Sequence, residues 1–572
     1  MSDICAASNF NLAWTTLIAD ECARSGIEHA VICPGSRSAP LAVAFARCAK
    51  IRTHIAHDER GGAFLALGIA KATRRPAVLI VTSGTAVANT LPAIVEARLT
   101  RTPLLVFSAD RPPELLDCGA NQAISQGQLL ANAARWAISM PCPTPEIPAE
   151  YVLSTIDEAI ARALGDAGAQ GGGVHVNCAF REPLAPSEQD WPRAWLNSIA
   201  RWMHSGQAAP WRSTIAALES EVEVDASLLI TGRMPEPLRQ SVDSWRGTLL
   251  ADITSGVARQ GTIGADLVLR ACDHEGPCVA LEDALRVEGI VCAGDAILSK
   301  RVSAWVARQD CSIEIFGAGD PRVDATHRAH AVHAAPVTFR AARTLKPHAG
   351  WKRALACVAD ASTTVLASER ALCEPTAMAE VRDACAALPH GTLFYGSSMP
   401  IRDADFLAIA PPKGWCVGSN RGASGIDGLL ATATGHAIAT AEPVVAFVGD
   451  VSALHDLNSL QLASQVETPL VLVVLNNDGG GIFRYLPIAK HKDVFDRCFV
   501  TPHGRSFAPI AGAFGIAQDT PKSRNALASA MSKALRRGRT TVLEIHCAGE
   551  SGEKVRARVA LAARAALTLE FA

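Results

Sequence analysis

Asp450 and Asn477 have the side-chain types and the spacing that a magnesium site requires. Asp450 follows an apolar run at residues 444–448, and Asn477 follows a second apolar run at residues 470–475. Carboxylate and amide oxygens are hard ligands that suit Mg2+ held partly by the phosphates of a ligand. Each residue alone also fits an ordinary strand end, with Asp as a cap or Asn and Gly as a turn. Their occurrence at two matching strand ends favours the metal site.

The segment that joins these residues predicts the elements that position them. Leucines at positions 454, 457, 460 and 462, with Val466, form the apolar side of a helix between two buried strands. Strands joined by a helix pair in parallel with a right-handed crossover. Asp450 and Asn477 should therefore emerge together at the carboxyl edge of a sheet, where open α/β sheets bind ligands. The exposed backbone of Asp478 and Gly479, which follow Asn477, adds further oxygens there.

The composition is that of ordinary globular material and argues against several classes of function. The chain has 572 residues, of which 49% are hydrophobic and 19% charged, enough for about three or four domains. A net charge of −2 argues against nucleic-acid binding, and no apolar stretch reaches membrane-spanning length. The 17 scattered cysteines form no C-x-x-C pair, and the N-terminus does not resemble a secretory signal. We therefore expect reduced thiols and a cytoplasmic location.

Hydrophobic patterning predicts a second α/β unit near the N-terminus. Its predicted strands are at residues 27–33, 52–56, 76–81 and 104–108, with helices at 63–70 and 86–97. This order repeats that of residues 444–475, so we interpret the two regions as copies of one architecture, although such units also arise without common descent. A linker rich in proline is predicted at 181–195. The middle region has weaker strand patterns, at 227–230, 248–251 and 311–316.

Two further residues stand where they could contribute to a site. Glu59 lies between a predicted strand and an apolar helix, where it is either a solvated N-terminal carboxylate, which is usual for a lone glutamate at a helix start, or part of a site. Ile426 lies in a glycine-rich loop, where it either anchors the loop to the core or lines a site. The residues alone leave both alternatives open.

Longer strings in the chain resemble a known family over almost its full length. The Gly449-Asp450 pair, followed some two dozen residues later by Asn476-Asn477, resembles the diphosphate motif of thiamine-diphosphate enzymes. One departure is Val451, where many members have glycine. Five further strings resemble, within that family, the 2-succinyl-5-enolpyruvyl-6-hydroxy-3-cyclohexene-1-carboxylate synthases. They are CPGSRSAPLA, HDERGGAFLALG, SADRPPEL with GANQAI, GSSMPIRD and SNRGASGIDG.

The resemblance implies the fold, the cofactors and the assembly. It implies an α/β fold with three doubly wound parallel-sheet domains. These are a pyrimidine-binding domain at 1–186, a middle domain at 196–345 and a diphosphate-binding domain at 370–572. The implied cofactors are thiamine diphosphate and Mg2+, with Mn2+ as an alternative metal. The implied assembly is a homodimer or homotetramer with active sites between subunits.

The resemblance also implies a reaction. Synthases of this kind decarboxylate 2-oxoglutarate and add the remaining four-carbon unit to isochorismate in a 1,4-addition during menaquinone biosynthesis. Glu59 would hydrogen-bond the aminopyrimidine ring of the cofactor and promote loss of the thiazolium proton. Ile426 would support the bent cofactor. Because both substrates carry two carboxylates, the site needs several guanidinium or ammonium groups, although each basic residue alone is typical of a surface charge.

By the same resemblance, the site residues fall into three sets. The cofactor set is Glu59, Ser83, Gly84, Thr85, Ser424, Ile426, Gly449, Asp450, Val451, Ser452, Asn477, Gly479, Ile482 and Phe483. The metal set is Asp450, Asn477 and Gly479. The substrate set is Ser36, Arg37, Arg111, Asn121, Gln122, Lys300, Arg301, Ser398, Arg402, Arg421, Phe483 and Leu486.

Two other functions compete with this carboligase. One is a different thiamine-diphosphate enzyme, such as a 2-oxo acid decarboxylase or an acetohydroxyacid synthase. The arginine and lysine set favours dicarboxylate substrates over the small apolar oxo acids of those relatives. The other is a catalytically silent sensor that binds the cofactor. The presence of Glu59 together with Asp450 and Asn477 favours an enzyme, because sensing does not require a proton-transfer carboxylate.

Overall fold

The N-terminal region forms a parallel six-stranded sheet. The computed structural model describes residues 4–165, 170–204, 209–212, 220–273, 279–317, 324, 326–333, 337–342 and 346–572. The sheet has the order β2-β1-β3-β4-β6-β5. Its strands are β1 (His29–Ile32), β2 (Arg52–Ile55), β3 (Ala77–Val81), β4 (Leu104–Asp110), β5 (Trp136–Met140) and β6 (Gly173–Ala179). Its helices are α1 (Phe10–Arg24), α2 (Ala39–Arg47), α3 (Glu59–Thr73), α4 (Thr85–Asn89), α5 (Leu91–Thr100) and α6 (Ala149–Leu164).

The middle region forms a five-stranded parallel sheet in the order β12-β11-β10-β8-β9, and β7 pairs with β13 in a small second sheet. The strands are β7 (Ser220–Val224), β8 (Leu228–Thr231), β9 (Thr248–Ala251), β10 (Gly289–Ala293), β11 (Ser312–Phe316), β12 (Ala331–His333) and β13 (Val337–Ala341). The helices are α7 (Ala200–His204), α8 (Glu236–Asp243), α9 (Ala265–Cys272), α10 (Val279–Ala284) and α11 (Lys300–Ala307).

The C-terminal region repeats the first architecture with a parallel sheet in the order β15-β14-β16-β17-β19-β18. Its strands are β14 (Gly391–Tyr395), β15 (Trp415–Gly418), β16 (Val444–Gly449), β17 (Leu470–Asn476), β18 (Ala517–Asp519) and β19 (Thr541–His546). Its helices are α12 (Ala349–Ser368), α13 (Glu374–Cys385), α14 (Met399–Phe406), α15 (Leu429–Thr440), α16 (Asp450–His455), α17 (Leu460–Ala463), α18 (Lys492–Phe495), α19 (Phe507–Ala513), α20 (Arg524–Arg536) and α21 (Gly549–Glu570).

The predicted α/β class with three doubly wound parallel sheets is confirmed. β16 and β17 pair in parallel, with Gly449 opposite Leu475, so Asp450 and Asn477 follow neighbouring strands at one edge. Two helices that were predicted to be continuous are interrupted in the structure, so these predictions are wrong. The helix predicted at 86–97 is divided between α4 and α5, because Pro92 lacks the N–H that a continuous helix needs. The helix predicted after residue 450 stops at His455, and Asp456 has a non-helical backbone at φ −112 and ψ 27.

The chain packs as two compact units. The first contains Met1–Ala216, Asn420–Ala441 and Asp456–Ala463. The second contains Ala217–Ser419, Glu442–His455 and Ser464–Ala572. Apolar residues from both faces of the N-terminal sheet form the cores of the first unit, and one continuous core joins the middle and C-terminal sheets in the second. Among the described residues, no helix combines the length and apolar character needed to span a bilayer.

Candidate active site

Asp450, at the carboxyl end of β16, presents a buried carboxylate at the predicted metal position. The residue is 2% exposed. Its Oδ2 accepts hydrogen bonds from the backbone N–H of Asn477 at 3.1 Å and of Gly479 at 2.8 Å, and its Oδ1 accepts from Val451 N–H at 2.7 Å. Burial raises the pKa of Asp450, against the opposing effect of these amides and of His503. A nearby cation would favour the ionised form of a carboxylate that burial disfavours.

Asn477 supplies the second oxygen. Its Nδ2 donates to Glu374 Oε1 at 2.9 Å, so the amide orientation is assigned by this bond. Its Oδ1 is buried, and within the described part of the chain it has no hydrogen-bond partner. Buried polar atoms are nearly always paired, so an unpaired amide oxygen beside a buried carboxylate fits a metal ligand. Asp450 and Asn477 therefore fit the Mg2+ that the sequence predicts.

Gly479 occupies a backbone position that only glycine fits. Its φ is +129°, and an added Cβ would lie 2.0 Å from the carbonyl oxygen of Val500. This conformation lets the Gly479 N–H reach Asp450 while the chain turns away from β17. The turn explains why a glycine run follows the two asparagines.

His503 was not predicted from the sequence, yet it lies against the same carboxylate. Its Nε2 is 3.2 Å from Asp450 Oδ2, and its Nδ1 accepts from the backbone N–H of Arg505 at 2.9 Å. The acceptor role of Nδ1 leaves Nε2 as the donor of a neutral ring, and Nε2 is buried without a hydrogen-bond partner among the described residues. No local pattern in the loop sequence indicates this contact, because it joins residues on separate segments.

In the first unit, predicted substrate residues from three loops come together. The Arg111 guanidinium donates to Ser83 Oγ, and Gln122 Nε2 donates to the carbonyl oxygen of Ser83 at 2.8 Å. Burial and the neighbouring positive charge of Arg37 lower the pKa of Arg111. Arg37 also donates to the carbonyl oxygen of Phe180 at 3.1 Å. Two like charges held close together in a partly buried site are typical of an anion-binding site.

A buried polar network supports this cluster, and the sequence prediction missed it. Gly84 N–H donates to Gln126 Oε1 at 3.0 Å, and Gln126 Nε2 donates to Asn177 Oδ1 at 2.8 Å. Asn177 Nδ2 donates to Asp110 Oδ2 at 2.8 Å, and Asp110 Oδ1 accepts from Arg111 N–H at 2.7 Å. The strands LLVFSAD and VHVNCA carry polar residues within apolar runs, and this signal could have identified Asp110 and Asn177.

Glu59 is the first residue of α3, so the helix predicted to follow it begins earlier than its apolar residues indicated. Asp58 caps the helix and accepts from Arg60 N–H at 2.9 Å, which leaves the half-buried Glu59 side chain free of the capping role. Burial, followed by the charges of Glu59 and Asp58, raises the pKa of Cys33. The Cys33 thiol next to Glu59 is therefore kept protonated and weakly nucleophilic.

The loop that carries Arg421, Ser424 and Ile426 is held by a buried carboxylate. Glu96 on α5 accepts from Gly422 N–H at 3.1 Å and from Ala423 N–H at 2.7 Å. Lys71 Nζ lies 3.0 Å from Glu96 Oε1 and donates to Asn420 Oδ1 at 2.7 Å. Although burial raises the pKa of Glu96, Lys71 and the two amides outweigh it and lower the pKa overall. Neither Glu96 nor Lys71 was predicted.

The remaining residues of the second unit lie in separate segments. Ser398 precedes α14 with φ +81°, and its carbonyl oxygen accepts from Arg402 Nη1 at 2.5 Å. Phe483 packs edge to face on Phe499 with ring centroids 5.5 Å apart, and Leu486 is exposed. Lys300 and Arg301 begin α11 in the middle region, where Arg301 pairs with Asp266 at 2.9 Å and Asp273 at 2.6 Å.

The other predicted residues lie beside these groups. Thr85 begins α4 and Ser452 lies in α16, directly after the strands that end at the two clusters. Ser36, Asn121 and Gln122 are exposed, and Ile482 is half-buried. The structure therefore forms one cluster around Arg111 in the first unit and one around Asp450 in the second.

Two family models match the chain, each over a region that contains one of these clusters. The model for the thiamine pyrophosphate enzyme, N-terminal TPP binding domain, matches residues 13–130. The model for the thiamine pyrophosphate enzyme, C-terminal TPP binding domain, matches residues 399–545. The chain therefore contains both TPP-binding domains of thiamine-diphosphate enzymes. These two domains support catalysis that depends on thiamine diphosphate, and they support the prediction of that cofactor.

Proposed function

We propose that this thiamine-diphosphate enzyme joins 2-oxoglutarate to isochorismate. The reaction is the decarboxylation of 2-oxoglutarate, followed by 1,4-addition of the remaining four-carbon unit to isochorismate. The product is 2-succinyl-5-enolpyruvyl-6-hydroxy-3-cyclohexene-1-carboxylate, an intermediate of menaquinone biosynthesis, and the enzyme is a transferase. The proposal rests on the two TPP-binding domains and on the substrate-binding chemistry below.

The observation that carries the proposal is the proximity of two positively charged side chains, Arg37 and Arg111, in the first unit. Their guanidinium groups are close enough for Arg37 to lower the pKa of Arg111, and Gln122 lies in the same cluster. Guanidinium groups bind carboxylates through short, charge-assisted hydrogen bonds. Isochorismate carries two carboxylates, whereas the small apolar oxo acids of other family members offer only one. The cluster therefore favours a dicarboxylate acceptor.

The residues around Asp450 suit the charged end of the cofactor. Asp450, the Oδ1 of Asn477 and the backbone of Gly479 would hold Mg2+, or Mn2+, together with the diphosphate. When bound, the thiazolium of the cofactor supplies an electron sink for decarboxylation. Glu59 would hold a proton at the aminopyrimidine ring, and Ile426 would support that ring from its glycine-rich loop. Phe483 and Leu486 would exclude water from the reacting atoms.

In this proposal, different basic and polar residues bind each of the two substrates. Ser398 and Arg402 would bind the distal carboxylate of the unit derived from 2-oxoglutarate. Isochorismate would be bound by Ser36, Arg37, Arg111, Asn121, Gln122, Lys300 and Arg301. Arg421 would serve both. The proposed assembly is a homodimer or homotetramer in which each site uses Glu59 of one subunit and Asp450 of another.

The test is a reaction with purified protein, thiamine diphosphate, Mg2+, 2-oxoglutarate and isochorismate. Isochorismate loss and carbon dioxide release are followed while each component is omitted in turn. Coupled loss that requires all four components supports the proposal. Carbon dioxide release that does not depend on isochorismate contradicts it and favours a decarboxylase. Activity with pyruvate in place of 2-oxoglutarate favours a different member of the family.

A further inference from the structure

We propose that Glu374 is a positioning residue that aims the amide oxygen of Asn477 at the metal, and that Arg556 holds Glu374 in place. The inference rests on the proposed role of Asn477 as a ligand of Mg2+. The inference is supported by a set of buried contacts that connect four segments of the second unit. None of these contacts requires a substrate, so the inference can be tested on cofactor binding alone.

The contact between Glu374 and Asn477 determines which amide atom faces the metal position. Asn477 Nδ2 donates to Glu374 Oε1 at 2.9 Å. An amide has its donor and acceptor on opposite arms, so fixing Nδ2 on Glu374 directs Oδ1 the other way. Oδ1 is the buried atom that has no hydrogen-bond partner among the described residues. Without Glu374, rotation of the amide would present N–H groups, which repel a cation.

Glu374 is in turn held by a buried guanidinium. Glu374 is 4% exposed and Arg556 is 8% exposed, and Arg556 Nη2 lies 3.4 Å from Glu374 Oε2. The same guanidinium binds Asp403 through two nitrogens, with Nε 2.7 Å from Asp403 Oδ1. The guanidinium therefore bridges two buried carboxyl groups, those of Glu374 and Asp403. Such partners of a metal ligand orient it and raise its affinity.

Arg556 also connects the metal position to the other parts of the site. Its Nη1 donates to the Tyr485 hydroxyl at 2.7 Å. Tyr485 directly precedes Leu486, in the turn that also contains Ile482 and Phe483. Asp403 follows Arg402 in α14. The Arg556 side chain therefore contacts Glu374, which binds the proposed metal ligand Asn477. It also contacts Asp403 and Tyr485, which are adjacent in the chain to the proposed substrate residues Arg402 and Leu486.

The first experiment measures thiamine diphosphate binding by calorimetry over a series of Mg2+ concentrations, without substrate. The Mg2+ concentration for half-saturation should rise about 10- to 100-fold in Glu374→Ala, the range typical of lost partners of metal ligands. Glu374→Gln should recover much of the affinity, because it keeps an acceptor oxygen for Asn477 Nδ2. A purely structural role would instead lower the unfolding temperature without moving the Mg2+ half-saturation of the folded protein.

A second variant tests the same contact from the opposite side. An added Cβ at Gly552 in α21 would lie 2.0 Å from Glu374 Oε2, so Gly552→Ala should displace the carboxylate and weaken Mg2+ binding. The matched control is Gly512→Ala in α19, where an added Cβ meets nothing within 4 Å. Alanine favours both helices, so weaker Mg2+ binding in Gly552→Ala alone is not explained by helix propensity.

A third pair tests the guanidinium. Arg556→Lys keeps the charge but loses the fork that joins Glu374, Asp403 and Tyr485, so it should also raise the Mg2+ half-saturation. Arg558→Lys, two residues along α21 in an exposed pair with Glu369, should not.

Two results would count against the inference in different ways. Wild-type Mg2+ half-saturation in Glu374→Ala and Gly552→Ala overturns the positioning role while leaving the proposed function intact. Failure of the wild-type protein to bind thiamine diphosphate in the presence of Mg2+ overturns the proposed function, and the inference with it. If Glu374→Ala does not fold, Gly552→Ala and Arg556→Lys decide the question.

Discussion

Arg111, a proposed substrate-binding residue, lies in an environment that would favour an anionic ligand. Burial and the charge of Arg37 both disfavour its positive form, while Asp110 opposes them only in part. A bound carboxylate would relieve this repulsion. The arrangement would therefore cost stability in the free protein and stabilise a bound carboxylate.

We expect Arg111→Met to raise the KM for isochorismate by about 10- to 100-fold, because a charge-assisted hydrogen bond is worth roughly 1.5–3 kcal/mol. The unfolding temperature should stay level or rise, since a repulsive buried charge is removed. Steady-state kinetics and thermal unfolding measure both effects. Arg181→Met, in an exposed pair with Glu114, is the control. A lowered unfolding temperature with an unchanged KM would assign Arg111 to structure alone.

Glu59 provides a second prediction at this scale. Glu59→Gln should lose about 100- to 10,000-fold in kcat, the usual contribution of a general acid–base group, while thiamine diphosphate still binds. Glu28→Gln, an exposed glutamate in the same region, is the control and should leave kcat unchanged. Unaltered turnover in Glu59→Gln would remove the proposed role of this carboxylate. Loss of cofactor binding would indicate a binding role instead.

At the scale of elements, the packing of α3 against α15 depends on glycine at the contact. An added Cβ at Gly68 would lie 2.2 Å from the carbonyl oxygen of Thr432, and one at Gly435 would lie 2.3 Å from that of Leu65. The close approach extends to the residue before α15, because an added Cβ at Gly428 would meet Phe64 of α3. The small residues of α3 that predicted a helix thus also determine how closely its partner packs.

Gly428, the residue before α15, tests this packing. Its φ is +63°, and an added Cβ would lie 1.9 Å from Phe64 Cγ. Gly428→Ala should therefore lower the free energy of unfolding by about 2–4 kcal/mol, from backbone strain and overpacking together. Gly26→Ala is the matched control, with φ +82° and nothing within 4 Å, and should cost only about 1 kcal/mol of strain. Chemical denaturation compares the two variants, and equal losses would contradict the packing argument.

Two stacked histidines on the adjacent strands β1 and β2 should make the stability of the folded protein sensitive to acid. His29 Nδ1 lies 3.0 Å from His54 Nε2, and the two rings stack. Burial, then the charges of His29 and Arg52, lowers the pKa of His54 to about 4. Because the unfolded chain binds a proton more readily than the folded one, stability is present above the unfolded pKa of about 6.5 and is lost as pH falls towards 4.

His54→Gln should therefore weaken the loss of stability between pH 7 and pH 4.5. The difference from the wild-type protein should be roughly 2–3 kcal/mol at the acid end, from the lowered pKa of His54. Thermal unfolding over this pH range gives the measurement. His390→Gln, at an exposed histidine, should leave the slope unchanged. An identical slope in His54→Gln would refute the assignment.

For the whole molecule, the proposed assembly makes each active site depend on two chains. Mixed dimers of Glu59→Gln and Asp450→Ala would then contain one intact site, formed by the unmutated halves. Random mixing should restore about a quarter of the wild-type activity, whereas each variant alone stays inactive. The measurement is activity after the two variants are unfolded and refolded together. No recovery in mixed dimers would show that sites are not shared between chains.

The sequence by itself determined the local features of this protein. Apolar runs specified the strands that end at Asp450 and Asn477, and the residue types at those ends predicted a hard cation site. Whether these two residues share an edge depends on strand order, but a strand, helix and strand in succession leave little choice. For this reason Asp450 and Asn477 were predicted correctly to follow neighbouring strands, and an apolar helix was predicted to follow Glu59.

Only the tertiary structure decided which distant residues support the site. Glu374, Arg556 and Asp403 are far apart in the chain, yet they meet in one buried cluster. Glu96 likewise reaches the loop at Gly422 across most of the chain. Such pairings leave no periodicity in the sequence, because each is made once, by the packing of whole elements. The polar residues at strand ends can be predicted from the local sequence pattern. The residues that orient those side chains cannot, because they come close only through long-range contacts formed when the elements pack.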